Sequence, residues 1–430
     1  MSASDEALTF TEWRSESLSS NDIAEVRTAI GGLREALKPR FSQFRLQPDG
    51  RVALGNLLGS TGLPSGRALR VDPPHTTNER WPDAIVQLLN ANTRIAVSSS
   101  RRSSHSPPRS DLTTAVAAEY ANRLQSALAA SGPIEAYQRE RLTLRRLRGH
   151  LRVSDWVRSS VLHPNHFPIE RDSFTTSNDF SRALAKVADL LAVSSRQASI
   201  AMRLRGIERQ LLPGAPSPTN LNPFIANKPL PPQWRHYQPA WDIAAAILKN
   251  RSVVGDPGTI HGLEVAVEPW PLLETLLERT LTALANRSDG LYQVAEKTTH
   301  SLITDSRTSA GQSVIPDGLL MRSPGVPTIS FEAKYTSDSA KPDRDHTFQT
   351  LATAGSLRTA IAVLVYPGDQ EPCVYDVSGF SAGPRFLVTI GLSLFTYERG
   401  VGDDTRAQRL EAVLADLYPQ LMRIPGDFGP

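Results

Sequence analysis

One cysteine, Cys373, is present in 430 residues, which excludes an intrachain disulfide and any cluster of thiolate metal ligands. Cysteine usage this low fits a reducing compartment. No apolar run is long enough to cross a bilayer. The opening residues, MSASDEALTFTEWRSES, are polar and acidic and lack the apolar stretch of a secretory signal. A cytoplasmic protein without a membrane partner is expected. Neither the phosphate-binding pattern G-x-x-x-x-G-K-[ST] nor G-x-G-x-x-G occurs, so nucleotide binding through those loops is excluded. The nine histidines, among them His105, His150, His163, His166, His236, His261, His300 and His346, show no zinc-like pairing, and no structural zinc is expected. Internal repeats are absent.

What remains is ordinary globular material. Hydrophobic residues make up 40% and charged residues 21%, enough apolar content for two or three domains with real cores. The net charge of +3 and pI near 9.0 permit a nucleic-acid partner without requiring one. In residues 44–54, short alternating runs flank Gln47-Pro48-Asp49-Gly50, which predicts a hairpin. A short helix is predicted over 81–89, and a loop over the low-complexity stretch 98–110. Helical spacing recurs over 112–128, 180–191 and 241–248, and the proline- and asparagine-rich stretch 212–232 reads as a connector. A second break at 255–262 precedes a helix with a wide apolar face, from Leu272 to Leu284. Strand-like runs follow at 291–303, 313–321 and 328–335, then a helix at 343–357 and the continuous apolar run 359–366. The order α-β-β-β-α-β predicts a central mixed sheet flanked by helices. The fold class expected is α/β within an α+β whole, with boundaries at 1–110 (mixed, partner-docking), 111–255 (mainly helical) and 256–430.

Chemistry is legible in that last region. Pro316-Asp317 ends one apolar run, and Glu332-Ala333-Lys334-Tyr335 ends the next. Phosphodiester hydrolysis needs a metal to polarise a phosphoryl oxygen and activate water, and magnesium takes a few carboxylates and keeps several waters. Asp317 and Glu332 supply two carboxylates from adjacent strand ends. Glu332 and Lys334 are two apart on a strand, so both leave one face, and the Lys334 ammonium sits where charge develops. The Ala333 carbonyl is a further candidate ligand. Glu274, on the preceding helix, is an extra carboxylate with Glu278 as its competitor. Gln349, on the following helix, is placed to steady Lys334 or a substrate phosphate. Each piece alone has a plainer role: Glu-x-Lys as a solvated pair, Pro-Asp as a turn. Magnesium is the expected cofactor, with manganese as a substitute.

A basic stretch carries Arg139, Arg141, Arg145, Arg146, Arg148, Arg152 and Arg158. Three roles fit it: clamping phosphates through bidentate contacts, acting in trans on a partner nucleotidase, or a solvated, helix-supporting charge pattern.

The segments IPDGLL, ISFEAKY, DRDHTFQTLATA and AIAVLVYP together resemble the nuclease domain of the McrC family. McrC is the endonuclease subunit of McrBC-type modification-dependent (type IV) restriction systems and belongs to the PD-(D/E)xK superfamily. The resemblance rests on Pro316-Asp317, Glu332-Ala333-Lys334-Tyr335, Asp345 with Gln349, Tyr366-Pro367 and Leu273-Glu274. Upstream, YQRERLTLRRLRG and His236-Tyr237-Gln238-Pro239-Ala240 are similar to family segments, so the likeness spans about residues 110 to 370. Thr353 stands where the family often has tyrosine, and Glu332 replaces the commoner aspartate. The resemblance implies an endodeoxyribonuclease acting on double-stranded DNA, with no small-molecule substrate, that works with and stimulates an McrB-like AAA+ GTPase or ATPase. The alternatives are a non-cleaving subunit that activates or anchors a partner NTPase, and a stand-alone repair or transposon nuclease.

Overall fold

A computed structural model describes residues 7–39, 42–74, 80–99, 112–195, 197–215, 218, 221–222, 224–249, 263–305, 311–323, 326–336, 342–378 and 383–421. The greater part of the loop expected at 98–110 and the break expected at 255–262 lie outside the described residues. The chain forms two compact units, one of Met1–Ala115 with Glu264–Pro430 and one of Val116–Leu263.

In the first unit, the helix Ser20–Leu37 starts where the Ser19 hydroxyl accepts the Asp22 amide at 3.1 Å. Its residues Val26, Ile30, Leu33 and Leu37 recur at helical spacing and are buried with Phe10, Leu54, Leu69 and Val71 in one core. The hairpin forms as its turn sequence predicts: Phe44–Leu46 pairs antiparallel with Val52–Leu54, and Gly50 takes the positive φ of 81° that the turn needs. The strand Leu8–Thr11 pairs parallel with Ala68–Asp72 at the edge of a five-stranded sheet. It runs into Glu12, which is buried at 1% exposure.

The C-terminal part of this unit carries a six-stranded mixed sheet. Its elements are α1 (Trp270–Arg287), β1 (Gln293–Val294), β2 (Gly318–Ser323), β3 (Val326–Ala333), α2 (Arg344–Leu357), β4 (Ile361–Tyr366), β5 (Cys373–Asp376), β6 (Phe386–Gly391) and α3 (Val401–Leu421). The strand order is β1-β2-β3-β4-β6-β5. β3, β4 and β6 run parallel, and the outer pairings are antiparallel. Every residue of β4 is buried, which is why it reads as an unbroken apolar run. α1 packs on β2 and β3 through the face bearing Leu277 and Leu281, which close over Gly318 so tightly that a Cβ there would lie 2.6 Å from Leu281 Cδ1. The Asp343 carboxylate caps α2 by accepting the Asp345 and His346 amides at 2.8 and 3.3 Å.

Two expected strands are each two elements. The run at 291–303 divides into β1 and His300–Thr304, and the latter pairs with Gly311–Val314 in a separate hairpin. The run at 313–321 is broken at Ile315–Asp317, where proline removes an amide donor and ends the pairing. β5, β6 and α3 complete the sheet beyond the elements read from sequence.

The second unit packs the helices Asp179–Ser194, Ala198–Leu211 and Gln238–Lys249 with most of Leu112–Ser131. Buried Tyr120 donates its hydroxyl to the Leu184 carbonyl at 2.9 Å. The basic stretch is not helical in its first half. It forms the strand Ala136–Leu144, paired antiparallel with Phe167–Thr175. Arg139 and Arg141 reach across to Asp172 and Glu170, each at 3.3 Å, and Arg171 reaches Glu140 at 3.4 Å. Tyr137, Arg139 and Arg141 share the exposed face of this strand while Leu142 and Leu144 lie on the other, a period of two, and opposite charges face one another across the strands.

Glu12 generates a stability prediction. Burial pushes its carboxyl up from 4.5 to about 8, against the opposing hydrogen bonds from Tyr335 and from the backbone at Leu57 and Asn56. Between those values the folded chain keeps a proton that the unfolded chain has lost. Stability from this group is therefore full below the unfolded value and is lost as pH rises through the folded one. In calorimetry, the Tm of the parent is expected to fall more steeply than that of Glu12→Gln from about pH 5 to about pH 8. Parallel Tm curves for the two proteins would show that Glu12 does not titrate this way.

Candidate active site

The candidate residues gather where β2 begins and β3 ends. Gly318 stands opposite Phe331 in the sheet register, so Asp317, one residue earlier, lies alongside the Glu332–Ala333 end of β3. Its amide donates to the Phe331 carbonyl at 3.1 Å, and its carboxylate Oδ2 accepts the Ala333 amide at 2.7 Å. A carboxylate bound to an amide in place of a strand partner fixes both strand ends with a charge-assisted hydrogen bond. In an extended residue the amide and carbonyl point to the same side. The Ala333 carbonyl therefore faces the Asp317 edge, while the Lys334 amide bonds to the Val365 carbonyl of β4 at 2.8 Å.

Glu332 and Lys334 leave one face of the strand, as two-residue spacing requires, and meet directly. Lys334 Nζ donates to Glu332 Oε1 at 2.6 Å, and Gln349 Nε2 from α2 donates to the same oxygen at 2.8 Å. The side chains of Glu332 and Lys334 are 7% and 16% exposed, so the pair is largely desolvated and its partners are tightly held. Phe331 and Ala333 point the other way into packing, at 1% exposure each.

From α1, Glu274 reaches the Asp317 carboxyl. Its own carboxyl is pushed up to about 8, first by burial, then by the hydrogen bond to Asp317 and the repulsion of that charge. Glu274 is therefore favoured in its protonated form near neutral pH. Glu278, the competitor one turn on, is directed elsewhere, to Lys297 Nζ at 2.8 Å. The same ammonium lies 4.0 Å from Glu274 Oε2. Lys297 is thus a second cation at this edge, and sequence reasoning missed it. It stands just after the two-residue strand β1, in a polar stretch with no pattern of its own, and only the pairing of β1 with β2 carries it to Glu274. His346, also missed, borders the Lys334 side, and burial holds its imidazole below the usual value. Asp345 is exposed, and its amide serves the Asp343 cap.

The structure therefore forms two neighbouring groups, Glu332 with Lys334 and Gln349, and Asp317 with Glu274 and Lys297, joined through Ala333. Their donors are carboxylate and carbonyl oxygens, the set that hard divalent cations take. Among the described residues, no group of three or more His, Cys, Asp or Glu side chains is closed into a metal-holding cluster. An ion that keeps most of its waters and takes one or two carboxylates fits such an open set.

A family model described as McrBC 5-methylcytosine restriction system component matches residues 52–367, well over half of the chain. No curated protein matches. Among solved structures, the chain is similar to one described as a refined half-complex from the tetradecameric assembly of Thermococcus gammatolerans McrB AAA+ hexamers with bound McrC. The identity is 13% and the TM-score 0.60, with 95% of this chain and 100% of that chain covered. A second, described as a cryo-EM structure of the Thermococcus gammatolerans McrBC complex, has 14% identity and a TM-score of 0.41, covering 65% and 88%. At these identities the first likeness speaks to the fold. Among the described residues, no helix is long and apolar enough to cross a membrane.

The buried pair generates a folding prediction. Lys334→Met leaves Glu332 without its cation, and is expected to cost on the order of 3 kcal/mol in urea unfolding. The double variant Glu332→Gln/Lys334→Met is expected to recover part of that loss. A double variant less stable than Lys334→Met alone would contradict a desolvated pair.

Proposed function

The chain belongs to the McrBC 5-methylcytosine restriction system component family, and from that premise we propose that it is the system's magnesium-dependent endonuclease subunit. The observation that carries this reading is the largely desolvated Glu332–Lys334 pair, held by Gln349, beside Asp317 and Glu274 at the paired ends of β2 and β3. Asp317, Glu332 and the Ala333 carbonyl are the proposed metal ligands, with Glu274 as a further carboxylate. Bound there, magnesium supplies Lewis-acid polarisation of the phosphoryl oxygen and a more acidic water. Manganese suits the same donors.

The protein's own groups do the rest. Glu332 holds the Lys334 ammonium in place, and Gln349 holds Glu332. Lys334 Nζ then presents its remaining N–H donors to the attacking water and to charge developing on the phosphate. Burial and then the like charge of Asp317 favour a protonated Glu274, and a cation bound beside it would favour the ionised form. The substrate is double-stranded DNA. The fold likeness to a chain from an assembly of McrB AAA+ hexamers with bound McrC supports a separate McrB-like AAA+ NTPase as partner, whose nucleotide hydrolysis this subunit stimulates. The absence of a nucleotide-binding loop in this chain agrees with that division of labour.

The test is plasmid cleavage by the purified chain with its AAA+ partner, nucleotide, magnesium and methylated DNA. Asp317→Ala and Lys334→Ala are each expected to lower the cleavage rate by on the order of 100-fold or more while partner nucleotide hydrolysis stays stimulated. Full cleavage by either variant refutes the site. Stimulated hydrolysis with no cleavage by the parent chain supports the non-cleaving subunit instead, and cleavage without nucleotide supports a stand-alone nuclease. A second measurement addresses the carboxyl pair. Lys297→Met removes the resident cation near Glu274, so titration calorimetry should show manganese binding several-fold more tightly than in the parent. Equal or weaker binding would place the ion away from Glu274.

A further inference from the structure

Tyr335, the residue after Lys334, is buried and held by residues from the other end of the chain. Its hydroxyl donates to Glu12 Oε2 at 2.6 Å, a bond spanning 323 positions. Glu12 Oε1 accepts the Leu57 amide at 3.2 Å, so both carboxyl oxygens are engaged. The Trp13 ring lies 5.1 Å from the Tyr335 ring, tilted by 46°. Trp13 itself adopts a left-handed φ of 62°, which a bulky side chain rarely takes. Its indole rests on bare backbone at Gly55, where a Cβ would lie 2.5 Å from Trp13 Nε1. Its amide is tied to the Leu54 carbonyl at 2.5 Å. A fully buried carboxyl and a rare backbone conformation thus converge on one tyrosine.

The position of that tyrosine matters. β3 ends at Ala333, and the Lys334 amide makes the last bond to β4. Among the described residues that directly follow, no strand pairing holds the backbone, and Tyr335 is the next anchored residue. Lys334 is therefore fixed on one side by β4 and on the other by the Glu12–Trp13 turn. We propose that Glu12 and Trp13 form a strut that positions Lys334 for DNA cleavage, so the N-terminal segment is a structural part of the nuclease site. This rests on the reading of Lys334 as catalytic. Glu12 and Trp13 are positioning residues, acting through Tyr335.

The test uses the full chain with its partner, in single-turnover cleavage at saturating magnesium and DNA, at a temperature where circular dichroism shows every variant folded. Glu12→Ala and Tyr335→Phe are expected to lower the rate constant by on the order of 10- to 100-fold, with DNA half-saturation unchanged. Glu12→Gln keeps a side chain of the same shape that hydrogen-bonds Tyr335, and is expected to restore most of the rate. Leu33→Ala, a cavity in the core of the same unit (Leu33 is 1% exposed), controls for lost stability and is expected to cut at the parent rate once folded. Parent-like rates for both Glu12→Ala and Tyr335→Phe overturn the strut, as does an equal loss in Leu33→Ala. Lys334→Ala separates the two levels. If it is inactive while Glu12→Ala and Tyr335→Phe are fully active, the strut alone fails. If Lys334→Ala itself cuts normally, the site reading fails and the strut with it.

Discussion

The Asp317 carboxylate bound to the Ala333 amide is the contact on which the site depends. It joins the start of β2 to the end of β3 at a point where Pro316 has already ended regular pairing. A main-chain amide at a strand end needs an acceptor, and a carboxylate meets that need more strongly than a carbonyl does. The consequence is geometric. Once this bond is made, Asp317, the Ala333 carbonyl and Glu332 share one corner of the sheet, and α1, closed down on Gly318, brings Glu274 to the same corner. The helix can approach so closely only because position 318 carries no side chain.

Around that corner, charge is arranged in opposition. On one side a buried carboxylate pairs with its lysine and accepts from an exposed glutamine, an arrangement that locks rotamers at the cost of desolvation. On the other side burial, and then the neighbouring Asp317 carboxylate, push the Glu274 carboxyl up to about 8, while Lys297 pairs with Glu278 and lies 4.0 Å from Glu274. The first arrangement is rigid and satisfied. The second is strained by like charge and is relieved by positive charge. A site that pairs a fixed ammonium with an under-neutralised carboxyl pair is suited to a hydrated divalent ion and an anionic substrate together. The basic strand of the second unit has a different character. Arg139 and Arg141 are already matched by Asp172 and Glu170 across the hairpin, which lessens their availability for phosphate.

Much of this is legible in the sequence. The 3.6-residue stripe of Leu272 to Leu284, the all-apolar run of β4 and the Asp49-Gly50 turn each declare their element locally, because periodicity and turn chemistry act over a few residues. Two-residue spacing placed Glu332 and Lys334 on one face, and in the structure they are bonded. Gln349 and Glu274 were legible only as members of an ordered set, since a lone glutamine or glutamate on a helix carries no signal. Their contacts with Glu332 and Asp317 come from how α2 and α1 pack on the sheet. Lys297 was not legible at all. The run at 291–303 looked like one strand, and its division sends one piece to the sheet edge and the other to a separate hairpin. The basic stretch was misjudged in part because arginine is compatible with either helix or strand. The period-two placement of Arg139 and Arg141 against Leu142 and Leu144 was the available clue.

By itself the sequence determined the chemistry on offer: which residues are acids and bases, how they are spaced on their own elements, and which nucleotide-binding loop patterns it lacks. It did so because backbone geometry turns spacing into direction over short range. Only the tertiary structure decided which of those groups meet. That Glu274 faces Asp317 while Glu278 faces Lys297, and that Glu12 closes on Tyr335 across the length of the chain, follow from the packing of distant segments into one core. Such contacts leave no local trace, since each partner on its own is an ordinary polar residue next to apolar neighbours.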